Sequence, residues 1–272
     1  MNNRTPCVFK DAVTIITGAA SGIGREMAYQ LAEQGACLSL ADCDAEGLEN
    51  VAAECRSRGG RVIAVQTDVC QQAQCAALIQ DTVNAYAKID MLINNAGISM
   101  YTTFEEISNL TLFEHLMRVN YFGSVYCTYY SLPYLKKTHG RLVAISSLAG
   151  KLGLPTRTGY AASKHAMIGF LDSLRIELAG RGITITVACP GFVATDIQKR
   201  ALGADGNPLG KSPVQGDNMM PAQDCARIIL RAAVNRKREV VMTWQGKIGL
   251  WLKLIAPVWL DWAVQKNMPK RC

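Results

Sequence analysis

The chain has 272 residues, 49% hydrophobic and 19% charged, a balance that excludes a disordered segment and allows a sizeable core. No apolar run reaches the ~20 residues of a membrane span, and MNNRTPCVFKDA lacks the apolar stretch of a secretory leader, so a cytoplasmic protein is expected. The net charge of +7 lies wholly in residues 231–272, where nine basic side chains face only Glu239 and Asp261.

Ten cysteines include no CxxC pair, and several sit in apolar runs such as TVACPG. That fits buried thiols in a reducing compartment better than a disulfide scaffold or a zinc site. His115, His139 and His165 have no ligand spacing, so no metal is expected.

The first predicted element is the strand AVTIIT, ending at Gly18. GIGREMAYQLAEQG follows with helical spacing at Ile23, Met27 and Leu31, and Gly35 stops it. Between strand and helix lies TGAASGIGR. Gly18, Gly22 and Gly24 allow a tight turn and close approach of a ligand, and free N–H groups at the helix start favour a diphosphate. The spacing is GxxxGxG. A strand–loop–helix context is what separates such a loop from an ordinary glycine turn.

The next strand, ACLSLAD, ends at Asp42. An acid there accepts hydrogen bonds from an adenosine ribose and repels a 2′-phosphate, which favours NAD over NADP. Arg25 argues the other way, since it could grip that phosphate, and Asp42 could equally be a turn residue.

AEGLENVAAECRSRG, RVIAVQTD, CAALIQDTVNAYAK and IDMLINNAG then read as helix, strand, helix and strand. A long helix is predicted around 111–136, then the strand RLVAISS, a helix over 158–179 and the strand ITITVACPG. A loop over 196–220, a helix over 221–235 and the strand REVVMT complete the pattern. Seven apolar strands separated by helices predict a parallel sheet covered on both faces. No linker or repeat divides them. One domain over 1–245, followed by a basic helical tail over 246–272, is expected.

In the 158–179 helix, GYAASKHA sets Tyr160 and Lys164 four residues apart, on one face. A phenol has an ordinary pKa of about 10, and bringing it to about 7 needs roughly 4 kcal/mol. A cation about 4 Å away at an effective dielectric near 20 supplies about that much. Lys164 is therefore able to make Tyr160 a base at neutral pH. The plainer reading is an i,i+4 helix face.

These residues, together with NNAG (Asn94–Gly97), Asn120 in RVNYFG, Ser147 in ISSLAG and PGFVAT (Pro190–Thr195), stand in one order and at one spacing. Over about residues 8–245 the chain resembles the short-chain dehydrogenase/reductase superfamily. The block from Ser146 to Leu178 looks most like its hydroxysteroid-dehydrogenase-like branch.

The resemblance implies a single doubly wound α/β Rossmann fold and a catalytic tetrad of Asn120, Ser147, Tyr160 and Lys164. In that tetrad Tyr160 would exchange the substrate proton and Ser147 would hold the substrate oxygen. Lys164 would also bond the nicotinamide ribose, and Asn120 would fix a water. The resemblance further implies that Gly18, Ser21, Gly22, Ile23 and Gly24 meet the diphosphate and ribose. Asp68 and Val69 would meet the adenine. Asn95, Ala96 and Gly97 would pack beside the cofactor. Pro190, Val193 and Thr195 would hold the carboxamide end. A homodimer or homotetramer is the implied assembly.

Met100, Tyr101, Leu148, Leu152, Leu154 and Phe192 are largely apolar, which points to a lipophilic alcohol or ketone. The 196–220 loop, with its glycines, prolines, Met219 and Met220, reads as a mobile lid or a plain surface loop. The tail WQGKIGLWLKLIAPVWLDWAVQKNM, which holds all four tryptophans, is broken into two short amphipathic pieces by Lys253, Pro257 and Asp261. It suits an interfacial anchor through 247–268, a cover over a pocket or subunit interface, or packing on the core. Nothing else reads a nucleic-acid groove, so no nucleic acid is expected. The leading expectation is an oxidoreductase using NAD, with NADP possible. An NADP-dependent carbonyl or 3-oxoacyl-carrier reductase and a non-catalytic NAD-binding scaffold are the alternatives.

Overall fold

Strands β1 (Val13–Thr17) and β2 (Cys37–Asp42) are buried along nearly their whole length in the computed structural model, which describes residues 8–213 and 219–266. Continuous apolar runs of this kind suit strands covered on both faces. Between them α1 (Gly22–Ala32) buries Met27, Ala28, Leu31 and Ala32, the stripe that a helical period places toward a core. Gly35 ends the turn after α1 at φ +77°, a conformation that glycine adopts without a Cβ penalty.

Helix α2 (Ala45–Ser57) starts where the Asp44 carboxylate accepts from the Gly47 N–H at 3.0 Å, a side-chain cap on an otherwise unpaired donor. Strand β3 (Arg61–Gln66), helix α3 (Gln72–Tyr86) and strand β4 (Met91–Asn94) follow. Then come α4 (Thr111–Met117), α5 (Gly123–Thr138), β5 (Arg141–Ile145), α6 (Thr158–Glu177) and β6 (Thr184–Cys189). The chain continues through β7 (Val193–Ala194), β8 (Met220–Pro221), α7 (Ala222–Val234) and β9 (Glu239–Val241). It closes with α8 (Trp244–Ile255) and α9 (Pro257–Lys266).

The main sheet has seven parallel strands in the order β3-β2-β1-β4-β5-β6-β9. Helices α1, α2 and α7 cover one face and α3, α5 and α6 the other, each over its own core cluster. The fold is the expected doubly wound Rossmann architecture. Its strand order reverses between β1 and β4, so the loops leaving their carboxyl ends diverge and open a crevice.

The structure departs from the sequence reading in one helix and adds detail in two other segments. The single helix expected around 111–136 is two helices, joined by a π-helical turn over Arg118–Phe122; one inserted residue barely disturbs a helical apolar pattern, so the break is silent in the sequence. The 196–220 segment is anchored at both ends. Leu202 bridges Met100, and Met220 pairs with Val193 in a two-stranded ladder; residues 214–218 of the expected lid lie outside the described residues. The tail forms the two expected pieces, and α8 is held by close contact. A Cβ on Gly246 would sit 2.6 Å from a methyl of Leu148, and one on Gly249 would sit 3.0 Å from a methyl of Leu152.

Candidate functional site

A cleft of about 610 Å³ runs along the carboxyl ends of the strands. At one end is the loop after β1. Gly18 and Gly22 both have positive φ, +67° and +56°, and a Cβ on Gly18 would lie 2.7 Å from the Ala96 Cα. Only glycine satisfies both demands. Ser21 is the N-cap of α1, yet its side chain makes no capping bond, and the first turn holds no acid. The N–H groups of that turn and the positive end of the helix are left for an anion.

The loop is fixed from two sides. The Asp42 carboxylate accepts from Ala20 N at 2.9 Å and from Asp44 N at 3.1 Å. The Asn95 amide donates to Thr17 O and Gly18 O, both at 2.9 Å. Thr17 Oγ1 in turn accepts from Asn95 N and Ala96 N at 3.1 Å. Thr17 was not anticipated as part of the site; a threonine ending an apolar strand carries no distinguishing pattern.

Of the expected cofactor residues, Gly18, Ser21, Gly22, Ile23, Asp42, Asp68, Val69, Asn95, Ala96, Gly97, Pro190, Val193 and Thr195 all line the cleft. Gly24 does not. It lies beneath the loop, where a Cβ would overlap Gly18 O. Asp68 Oδ1 accepts from Cys70 N at 2.9 Å, and Cys43 and Cys70 flank that end of the cleft.

The other end gathers Ser147, Tyr160 and Lys164. Ser147 caps the short 3₁₀ turn Leu148–Gly150, its hydroxyl accepting from Ala149 N at 3.2 Å, and it lines the cleft with Tyr160. Tyr160 and Lys164 are both buried, on successive turns of α6. Lys164 Nζ donates to Ile145 O at 2.9 Å, and burial pushes its ammonium down to about 8.

Burial is also the largest influence on Tyr160, raising it above its ordinary value of 10. The Ser147 hydrogen bond and the Arg157 charge pull it back. Lys164 Nζ stands 5.9 Å from the Tyr160 ring centre and the Arg157 guanidinium carbon 6.0 Å from it, so two cations flank the phenol at like distance.

Asn120 sits in the π turn, fully buried and below the cleft. Its Nδ2 donates to Ile98 O at 3.0 Å and Ser163 Oγ at 2.8 Å, and its Oδ1 accepts from Ile98 N at 2.9 Å. Its oxygen and Lys164 Nζ converge on Gly97, each within about 3.2 Å of where a Cβ would stand. Leu148, Leu152, Leu154 and Phe192 line this end of the cleft, as expected. Met100 is instead fully buried beneath it, and Tyr101 faces Arg157 at 5.5 Å.

The glycine cradle, the unused helix terminus and the Asp42 carboxylate fit a dinucleotide, and the buried phenol lies where its reactive end would meet a substrate. Comparison with known proteins agrees. The family model for short chain dehydrogenases matches residues 12–205. An 11-beta-hydroxysteroid dehydrogenase from Pinus massoniana is 35% identical over 92% of this chain and 72% of its own. A dehydrogenase/reductase SDR family protein 7-like from Dictyostelium discoideum is 33% identical over 95% of this chain and 82% of its own. The crystal structure of a short chain dehydrogenase/reductase from Burkholderia phymatum in complex with NAD superposes with a TM-score of 0.81 at 27% identity, covering 97% of this chain and 98% of that one. The chain belongs to the short-chain dehydrogenase/reductase family of NAD(P)-dependent oxidoreductases.

Proposed function

We propose that the protein interconverts a lipophilic secondary alcohol and its ketone, or a long-chain alcohol and its aldehyde, with NAD preferred over NADP. The observation that carries this reading is the meeting of Ser147, Tyr160 and Lys164 at the apolar end of a cleft whose other end is a diphosphate cradle. When bound, the nicotinamide accepts hydride from the carbinol carbon, or returns it to a carbonyl.

The chain's own groups handle the proton. Ser147 donates to the substrate oxygen and holds it beside Tyr160. In oxidation Tyr160 takes the hydroxyl proton as the C–H bond breaks; in reduction it gives that proton back. Lys164 supplies a fixed positive charge one turn away, and Asn120 holds the Ile98 backbone that borders it. Leu148, Leu152, Leu154 and Phe192 exclude water from the reacting carbon.

The preference for NAD rests on Asp42. Its carboxylate accepts from Ala20 N, Asp44 N and the Cys43 thiol, which leaves a lone pair for a ribose hydroxyl. Arg25, the rival anchor for a 2′-phosphate, sits 3.7 Å from the Glu26 carboxylate, which draws on its charge. The similar protein from Burkholderia phymatum was solved with NAD.

The test is reduced-nicotinamide formation by purified protein with either cofactor and a panel of sterols, retinol, long-chain and small polar alcohols. Turnover of lipophilic members with NAD⁺ is expected. Turnover of only small polar alcohols would end the substrate assignment, and turnover with NADP⁺ alone would end the cofactor assignment.

The tail belongs to the same reading, as a face resting on an anionic membrane. No helix among the described residues is long and apolar enough to cross one. Helices α8 and α9 leave Trp251 69%, Leu254 77% and Trp259 69% exposed, with Lys247 and Lys266 exposed beside them. Apolar and indole groups rimmed by ammoniums suit a headgroup boundary. Deleting 247–272 is expected to abolish co-sedimentation with phosphatidylserine vesicles. An intact protein that ignores such vesicles would reject this reading. A mass by light scattering that falls on deletion would assign the tail to a subunit interface instead, within the homodimer or homotetramer proposed for this chain.

A further inference from the structure

Arg157 is a charged side chain in the wall of the apolar end of the cleft that the mechanism above leaves unused. It is 5% exposed. Among the described residues no carboxylate offsets its charge, and the only ionisable groups acting on it are the phenols of Tyr160 and Tyr101. Burying a guanidinium without an acid is costly unless hydrogen bonds and aromatic faces compensate.

Here they do. Its two terminal nitrogens donate to Ser99 Oγ at 2.7 Å and Gln198 Oε1 at 2.9 Å. Its central carbon stands 5.5 Å from the Tyr101 ring, 5.7 Å from Phe192 and 6.0 Å from Tyr160. One side chain thus joins the segment after β4, the segment after β7 and the start of α6.

We propose that Arg157 is a positioning residue with two parts: its uncompensated positive charge beside the ring shifts the ionisation of Tyr160 toward the phenolate, and its bonds to Ser99 and Gln198 clamp those two segments around the ring. This rests on the assignment of Tyr160 as the acid/base.

Position and charge both support it. A cation at ~6 Å in a poorly screened site favours the phenolate over the phenol by an amount worth about one to two pH units. Other groups also face Tyr160. Lys164, from α6, donates to the neutral Ile145 O and stands 5.9 Å from the ring, so its charge acts together with that of Arg157. Cys189, from β6, acts in the opposite sense, raising the phenol. Asp196, after β7, is paired with Lys199. His115, of α4, lines the same cleft, and Tyr101 shares the guanidinium.

The test reads Tyr160 without turnover. Phenolate absorbance is titrated for the protein and for Arg157→Met and Arg157→Lys, each minus the same protein carrying Tyr160→Phe. Arg157→Met is expected to move the Tyr160 titration up by about one to two pH units, and Arg157→Lys to restore most of the shift. In kinetics, Arg157→Met should lower kcat for oxidation about tenfold or more at neutral pH and recover as pH rises, with KM little changed.

Gln198→Leu separates the two parts of the proposal, because it breaks the clamp and keeps the charge. Its titration should match the parent's. If Arg157→Met folds, binds cofactor and leaves the Tyr160 titration in place, the proposal is overturned and Arg157 is a structural tie. If the titration shifts as expected but Tyr160→Phe retains full activity, the electrostatic inference stands and the assignment of Tyr160 fails.

Discussion

Tyr160→Phe should lower kcat by about 10³-fold, in both directions, while cofactor affinity stays within a few-fold of the parent. Phenylalanine keeps the ring that packs with Leu112, Leu116 and Leu202 and that faces Arg157, so the fold and the cleft wall survive. What disappears is the group that takes or gives the proton. A 10³-fold loss corresponds to about 4 kcal/mol of transition-state stabilisation, the scale of a well-placed general acid or base. Steady-state rates with calorimetric titration of cofactor would check it. Retention of a tenth or more of the parent rate would remove Tyr160 from the chemistry. A protein without turnover whose partner binding ignores the substitution would be a scaffold.

The direction of the pH dependence follows from the same site. Burial holds the phenol above its ordinary value of 10 against the pull of Ser147 and Arg157. Oxidation needs the phenolate, so its rate should climb as pH rises. Ketone reduction needs the phenol and should fall once the phenol titrates.

Gly24→Ala is expected to cost about 3 kcal/mol of stability and to abolish measurable cofactor binding. The new methyl would overlap Gly18 O and approach Asn95 Nδ2 at 2.5 Å. Neither can yield cheaply. Gly18 O is backbone, and Asn95 holds the end of β1 and the glycine loop together through two hydrogen bonds. Relief would push the loop away from α1 and destroy the cradle. Thermal unfolding and a cofactor titration would measure both effects. An alanine variant with the parent's Tm and affinity would show that Gly24 has room, against the geometry.

The sheet was legible because its inner strands are buried on both faces, and such burial writes itself into the chain as uninterrupted apolar runs. VTIIT and CLSLAD are examples. The cradle was legible for a related reason. A positive φ and a close backbone approach leave few residues besides glycine, so Gly18, Gly22 and Gly24 record the geometry in their identity. Tyr160 and Lys164 were legible because four residues along a helix is a fixed spatial offset.

What escaped are relations between segments far apart in sequence. The π turn that carries Asn120 leaves the helical pattern intact, and its amide finds Ile98 and Ser163 only in three dimensions. The anchoring of the 196–202 segment depends on a bridge from Leu202 to Met100. In the tail, Gly246 and Gly249 carried no assignment in the sequence. Against Leu148 and Leu152 they are what lets α8 approach the rim of the cleft.

The sequence by itself determined the alternation of apolar strands with helices, the phosphate cradle and the pairing of phenol with ammonium, because each is a local demand on residue type. The tertiary structure alone decided that a second cation stands uncompensated beside the phenol. Lys164, one turn along α6, is 5.9 Å from the ring, and Arg157 stands 6.0 Å from it. Arg157 has no acidic partner, and it is brought against Tyr160 by contacts with Ser99 and Gln198, residues 58 and 41 positions away. Charge acts through distance and burial, and neither is written in the order of the chain.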